Sequence, residues 1–157
     1  MLKIKEALTK ALIEQARELF VEYVDYLGIN LEFQNFKEEL KNLPGDYSLP
    51  EGTILLAYYN SKLAGCVALR KFENNICEMK RLFVRSEFRG KGIGKVLVEQ
   101  IIDKASRIGY KFMRLDTLSF MKEAITLYLS LGFKEIKSYR YNPFEDAKYF
   151  QLNLTNL

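Results

Sequence analysis

The chain has 157 residues, 48% hydrophobic and 28% charged, with a net charge of +4. That is enough for one domain with a sizeable core, and the positive balance is too mild and too scattered to imply nucleic acid. Histidine is absent, which excludes His-based triads and most zinc sites, so proton transfer falls to Glu, Asp, Tyr, Lys, Cys, a terminus or water.

Met1 to Glu6 lacks the apolar run and cleavage site of a signal peptide, and no apolar stretch approaches membrane-spanning length. Cys66 and Cys77 have no Cys-x-x-Cys spacing and fall inside strand-like segments. The expectation is a cytoplasmic protein with two buried free thiols and no metal or membrane partner.

Residues 2–5 read as a first strand. Leu12, Ala16, Leu19, Phe20, Tyr23 and Leu27 share one helical face, with Gly28 as a natural C-cap. A shorter helix is expected over 33–43, followed by a loop bounded by Pro44-Gly45 and Pro50 to Gly52. Residues 53–59 and 62–70 read as a hairpin around Asn60-Ser61, with another turn at 73–75. A strand over 76–84 leads into a helix over 92–108, whose Ile93, Leu97, Ile101, Ala105 and Ile108 lie on one side. A strand over 111–117, a helix over 121–131, a strand over 133–138, a turn at Asn142-Pro143 and a strand over 149–154 complete the chain. The pattern predicts a single α/β domain over 1–157, with a mixed central sheet and helices on both faces.

Between the strand ending at Val84 and the helix lies Arg89-Gly90-Lys91-Gly92-Ile93-Gly94-Lys95. Strand, Gly-rich basic turn and helix start make a site for phosphate oxygens, because unpaired backbone N–H groups and the helix dipole both favour an anion there. A P-loop would need glycine where Arg89 stands and Ser or Thr where Val96 stands, and a dinucleotide fingerprint would need glycine where Lys95 stands. Both readings fail. The remaining pattern, Arg-Gly-x-Gly-x-Gly, resembles the pyrophosphate-binding motif of the GNAT superfamily of N-acyltransferases. Ala124-x-x-x-Tyr128-x-x-x-Gly132-Phe133 resembles that family's second signature.

The resemblance implies a sheet splayed between the strands near 76–84 and 111–117. It also implies acetyl-coenzyme A as co-substrate and direct transfer of the acetyl group to a primary amine, without an acyl-enzyme. The acceptor is expected to be a small metabolite or amino acid rather than a protein. By the same resemblance the strand end Leu82, Phe83 and Val84 holds the pantetheine arm and thioester through its main chain. Arg89, Gly90, Lys91, Gly92, Ile93, Gly94 and Lys95 hold the pyrophosphate, and Tyr128 protonates the departing sulfur. Many relatives carry asparagine where this chain has Met121. A homodimer is compatible with the family, although no seam is readable. The alternative is a module that binds coenzyme A as a sensor without turnover.

One strand breaks the local rules. Residues 76–84 should be central, yet Glu78, Lys80 and Arg81 occupy their middle, and an unpaired buried charge is costly. Such inconsistency marks a functional or strained site. Glu78 is the candidate general base, with a raised pKa expected from partial desolvation. The competing reading is a solvated Glu78–Lys80 ion pair. Tyr26, Glu32, Phe33 and Lys80 are the candidate acceptor-binding residues, with Glu32 drawing an ammonium or Lys80 a carboxylate.

Overall fold

The computed structural model describes residues 1–156. Seven strands form one sheet in the order β1-β2-β3-β4-β5-β7-β6: β1 (Leu2–Glu6), β2 (Thr53–Tyr59), β3 (Lys62–Glu73), β4 (Ile76–Val84), β5 (Phe112–Leu118), β6 (Lys134–Ile136) and β7 (Ala147–Asn153). Among the described residues only β4 and β5 run parallel. The mixed α/β fold expected from the sequence is therefore present.

Helices α1 (Lys10–Leu27) and α2 (Phe36–Lys41) cover one face, while α3 (Ile93–Ile108) and α4 (Lys122–Ser130) cover the other. Helix α1 starts at Thr9, whose hydroxyl accepts from Leu12 N, and stops at Gly28 in the left-handed region. Its apolar stripe, Ile13, Ala16, Leu19 and Phe20, packs on Leu56, Cys66 and Ala68 of the sheet. On the other side Ile93, Leu97, Ile101 and Ala105 of α3 pack on Val67, Leu69, Cys77 and Met79. Both cysteines are buried and free, and burial pushes each thiol well above its ordinary range.

The helix expected over 33–43 is interrupted. A 3-10 turn, Glu32–Gln34, and α2 are separated by Asn35 at φ 55°, a conformation that asparagine tolerates and that ends regular helix. Strand β3 runs three residues beyond its expected end, to Glu73, because β4 pairs with it as far as Glu73↔Ile76. Strand β6 is shorter than expected, and residues 137–146 cross the end of the sheet without regular structure. Among the described residues, no helix is long and apolar enough to cross a membrane.

Two departures from regular sheet create the site. First, β4 and β5 pair only at Ile76↔Phe112, Cys77↔Met113 and Glu78↔Arg114. Beyond Glu78 the strands part, and the β5-side edge of β4 is open. Second, β4 carries a bulge. Cys66 pairs with Phe83 and Ala68 with Lys80, so two steps along β3 match three along β4. Arg81 holds the extra position at φ 60°. Without the bulge, alternation would send Arg81 into the apolar face under α3. With it, consecutive Lys80 and Arg81 share the α1/α2 face, while Met79 and Leu82 pack with the α3 core.

Candidate active site

The parting strands leave two adjoining hollows. The larger, a cleft of about 620 Å³, is lined by Leu82, Phe83 and Val84, by Arg89, Gly90, Gly92, Ile93 and Gly94, and by α4 from Lys122 to Leu127. The smaller, about 60 Å³, lies between α1, the Gln34 turn, β4, β5 and α4, and is lined by Lys80, Arg81, Asp116 and Tyr128 among others. Tyr23, Leu82, Met121 and Ala124 line both, so the two meet at the fork.

The large cleft has the features of an anion site. Helix α3, unlike α1, begins with no side-chain cap, at Gly92, and its first turn holds no acidic residue. Its first N–H groups thus have no intrahelical acceptor and point out of the helix start. Gly90 and Gly92 have φ of 80° and 77°, and a Cβ at either would meet no protein atom within 4 Å. Arg89 donates from Nε to the Val84 carbonyl at 3.0 Å and stacks on Tyr26, 4.4 Å from its ring centroid. Tyr26, expected at the acceptor, therefore lies under Arg89 in the large cleft. Lys91 and Lys95 are exposed and stand outside its lining, Lys91 Nζ lying 5.1 Å from the Tyr59 ring centroid.

Tyr128 stands one turn beyond Ala124 on α4 and is 5% exposed. Its ring packs on Phe133 and Phe150, with centroids 5.6 and 6.2 Å away. Gly132 at φ 99° reverses the chain, so that Phe133 N donates back to Tyr128 O at 3.0 Å. This gives the Gly132-Phe133 pair a physical purpose: it fixes the tyrosine ring. Among the described residues the Tyr128 hydroxyl has no hydrogen-bond partner, and burial raises its pKa far above the ordinary value, with Tyr23 and Asp116 adding to the rise. The group is a protonated donor. Tyr23, on the α1 side of the fork, is pushed up to about 12, chiefly by burial.

Glu78 differs from the sequence expectation. It is fully buried and lines neither hollow. Arg70 donates to Oε1 from Nε at 3.0 Å, with its terminal nitrogen NH2 at 2.9 Å. Tyr139 donates to Oε2 at 2.8 Å, Arg140 also binds Oε2, and Lys80 Nζ lies 3.9 Å from Oε1. Burial alone would raise its pKa, but Lys80, Arg140 and Arg70, with the Tyr139 hydrogen bond, outweigh it and hold the carboxyl at about 2. The raised pKa expected for a general base is thus reversed. The solvated-pair reading fails too, since Lys80 is also buried. Glu78 anchors a row across the sheet, Arg70–Glu78–Arg114–Gln151, set by cross-strand pairing.

Lys80 and Arg81 do reach the small hollow. Arg81 forks onto Glu39 of α2, with both nitrogens at 2.8 Å, and donates to Gln34 Oε1 at 2.9 Å. Lys80 Nζ donates to the same oxygen at 2.9 Å. These bonds draw the Gln34 turn over the fork. Burial, followed by the Arg81 charge, lowers Lys80, while Glu78 and Asp116 pull it back, for a net value of about 7. Of the other acceptor candidates, Glu32 is exposed and lines neither hollow, and the Phe33 side chain lies outside the described residues. Asp116 and Arg70 were not anticipated. Arg114 and Asp116, two apart inside β5, repeat the charged inconsistency of β4 and were the available signal.

The sequence profile of the acetyltransferase (GNAT) family matches residues 14–133. The chain belongs to that family. An uncharacterized N-acetyltransferase of Dictyostelium discoideum is 37% identical, covering 98% of this chain and 99% of the relative. Human N-acetylaspartate synthetase is 36% identical over 57% of this chain and 30% of its own length. A putative acetyltransferase of Salmonella typhimurium, solved with its cofactor acetyl-CoA, superposes with a TM-score of 0.71 at 22% identity, covering 98% of this chain and 94% of that one. The GNAT fold read from the two motifs is the fold found, and the uncapped α3 start of this acetyltransferase is the place where the family motif lies.

Proposed function

We propose that this acetyltransferase binds acetyl-CoA in the large cleft and passes its acetyl group directly to a small primary amine in the adjoining hollow. The observation that carries the reading is the junction of the two hollows at Leu82 and Ala124, with Tyr128 one turn away. The pyrophosphate sits on the N–H groups at the start of α3, and the pantetheine arm lies along the open edge of β4 from Leu82 to Val84. A thioester at the fork is within reach of Tyr128, whose hydroxyl donates to sulfur as the C–S bond breaks. The acetyl-CoA-bound Salmonella structure and the match to N-acetyltransferases along nearly the whole chain support the cofactor and the reaction. The small volume beside Lys80 and Asp116 supports a compact acceptor over a polypeptide, as does partial similarity to an enzyme named for an acetylated amino acid. A regulatory module would have no use for an unpartnered tyrosine hydroxyl at the fork.

Gly92→Asp tests the cofactor site. Aspartate tolerates the left-handed region better than most residues, and a Cβ at this position meets no protein atom, so the variant should fold. Its carboxylate is expected to weaken acetyl-CoA binding at least ~10-fold, about 1.4 kcal/mol, in isothermal titration. Equal affinities would place the pyrophosphate elsewhere. A wild-type protein that binds no acetyl-CoA would sink the whole reading.

A further inference from the structure

Strand register sets Lys80 and Asp116 opposite one another across the fork. Glu78 pairs with Arg114 in the last parallel pair, and two residues further along each strand come Lys80 and Asp116, after the strands have separated. Both side chains line the small hollow. They sense each other, since Asp116 raises the Lys80 pKa, yet among the described residues no ion pair within 4.0 Å joins them. Lys80 has three N–H donors. One is committed to Gln34 Oε1, and the contact to Glu78 is long at 3.9 Å. Among the described residues the carboxylate of Asp116 accepts one hydrogen bond, from Asn142 Nδ2 at 3.5 Å.

The surrounding charges are paired unequally. Arg81 forks onto Glu39, Arg70 lies between Glu78 and Asp46, and Arg140 binds Glu78 while its Nε stays without a partner. Among the described residues the one carboxylate within 4.0 Å of Lys80 Nζ is Glu78, at 3.9 Å. A separated cation and anion lining one small hollow are complementary to a molecule that carries both charges itself.

We propose that the acceptor is a free amino acid, its carboxylate held by Lys80 beside Gln34 and its ammonium held by Asp116. This rests on the acetyltransferase reading above and names the acceptor class of that site. Asp116 then takes the first proton from the ammonium, freeing the nitrogen lone pair to attack the thioester carbonyl. The N–C bond forms and the C–S bond breaks. As the tetrahedral adduct collapses, Tyr128 gives its proton to sulfur and the second nitrogen proton restores the Tyr128 hydroxyl. Of the two protons lost from nitrogen, one is thereby replaced on sulfur through Tyr128, and the other passes from Asp116 to solvent. Carboxylate binding by Lys80 requires its protonated form. Acceptor affinity therefore weakens as pH rises through the Lys80 pKa near 7, while a bound carboxylate pulls that pKa upward.

The test is thiol release from acetyl-CoA with each of the twenty protein amino acids, and with the carboxamide and decarboxylated amine of every one that reacts. The expected result is turnover of one or a few amino acids, with their neutral-ended analogues at least ~100-fold poorer in kcat/KM. Lys80→Met should raise KM for the amino acid at least tenfold, with a smaller change in kcat, and should shrink the preference for the amino acid over its carboxamide. Asp116→Asn should lower kcat. A merely structural Lys80 would change both acceptors alike. Equal use of amino acid and carboxamide by wild type overturns the proposal, as does failure of every amino acid in a protein shown by titration to bind acetyl-CoA. Absence of acetyl-CoA binding would instead strike the underlying reading, so the two failures are distinguishable. Should Lys80→Met not fold, Lys80→Gln and the wild-type comparison decide alone.

Discussion

Replacing Glu78 by glutamine is expected to destabilise the protein by roughly 3–5 kcal/mol at neutral pH, the usual cost of removing one partner from a buried charge cluster. The substitution keeps the shape and leaves Arg70, Arg140 and Lys80 facing a neutral amide. The acid limb of the stability curve gives an independent check. The Glu78 carboxyl has a folded pKa of about 2, against about 4.5 for the free group. Its folded pKa is depressed, so its contribution is fully present above pH 4.5 and is lost as pH falls from 4.5 towards 2. The difference corresponds to roughly 3 kcal/mol. Urea unfolding between pH 7 and pH 2 should show this loss in wild type and lack it in Glu78→Gln. A general base would behave in the opposite way, with stability retained and turnover lost. An unchanged urea midpoint at neutral pH would show that the three cations do not depend on Glu78.

Much of the fold was legible because its signals are local. The limits of β4 follow from its flanking turn residues and the glycine-rich turn, and α3 from an apolar stripe with a glycine at each end. The cofactor turn was equally local, since its backbone conformation depends on Gly90 and Gly92 themselves. What the sequence hid was long-range. Glu78 is held low by Lys80, Arg140 and Arg70, and two of its partners, Tyr139 and Arg140, more than sixty residues on, arrive from an irregular segment with no periodicity. The facing of Lys80 and Asp116 depends on where two parallel strands stop pairing. The shared face of Lys80 and Arg81 depends on one bulge. Alternation predicts opposite faces for neighbours, and Arg81 in the left-handed region has no composition signal, since nothing in arginine favours it. The broken helix near Asn35 had a weak signal in the asparagine, masked by the apolar spacing around it.

Tyr128→Phe is expected to lower kcat by about 100-fold or more, within the usual range for loss of a positioned proton donor. The acetyl-CoA dissociation constant should stay within about twofold, because the large cleft is lined by the α3 turn and Leu82 to Val84 and does not include Tyr128. Stability should hold or rise slightly. The ring contacts with Phe133 and Phe150 survive, and no protein hydrogen bond is lost with the hydroxyl. That combination separates catalysis from packing, since a purely structural tyrosine would lose stability and keep its rate. The pH profile adds a sign. An acid must be protonated to act, and burial lifts Tyr128 far above the ordinary tyrosine value, so wild-type kcat should show no loss from this group up to pH 10. Unchanged single-turnover acetyl transfer in the variant, with the thiolate leaving as fast as in wild type, would remove Tyr128 from the reaction and leave sulfur to be protonated by water.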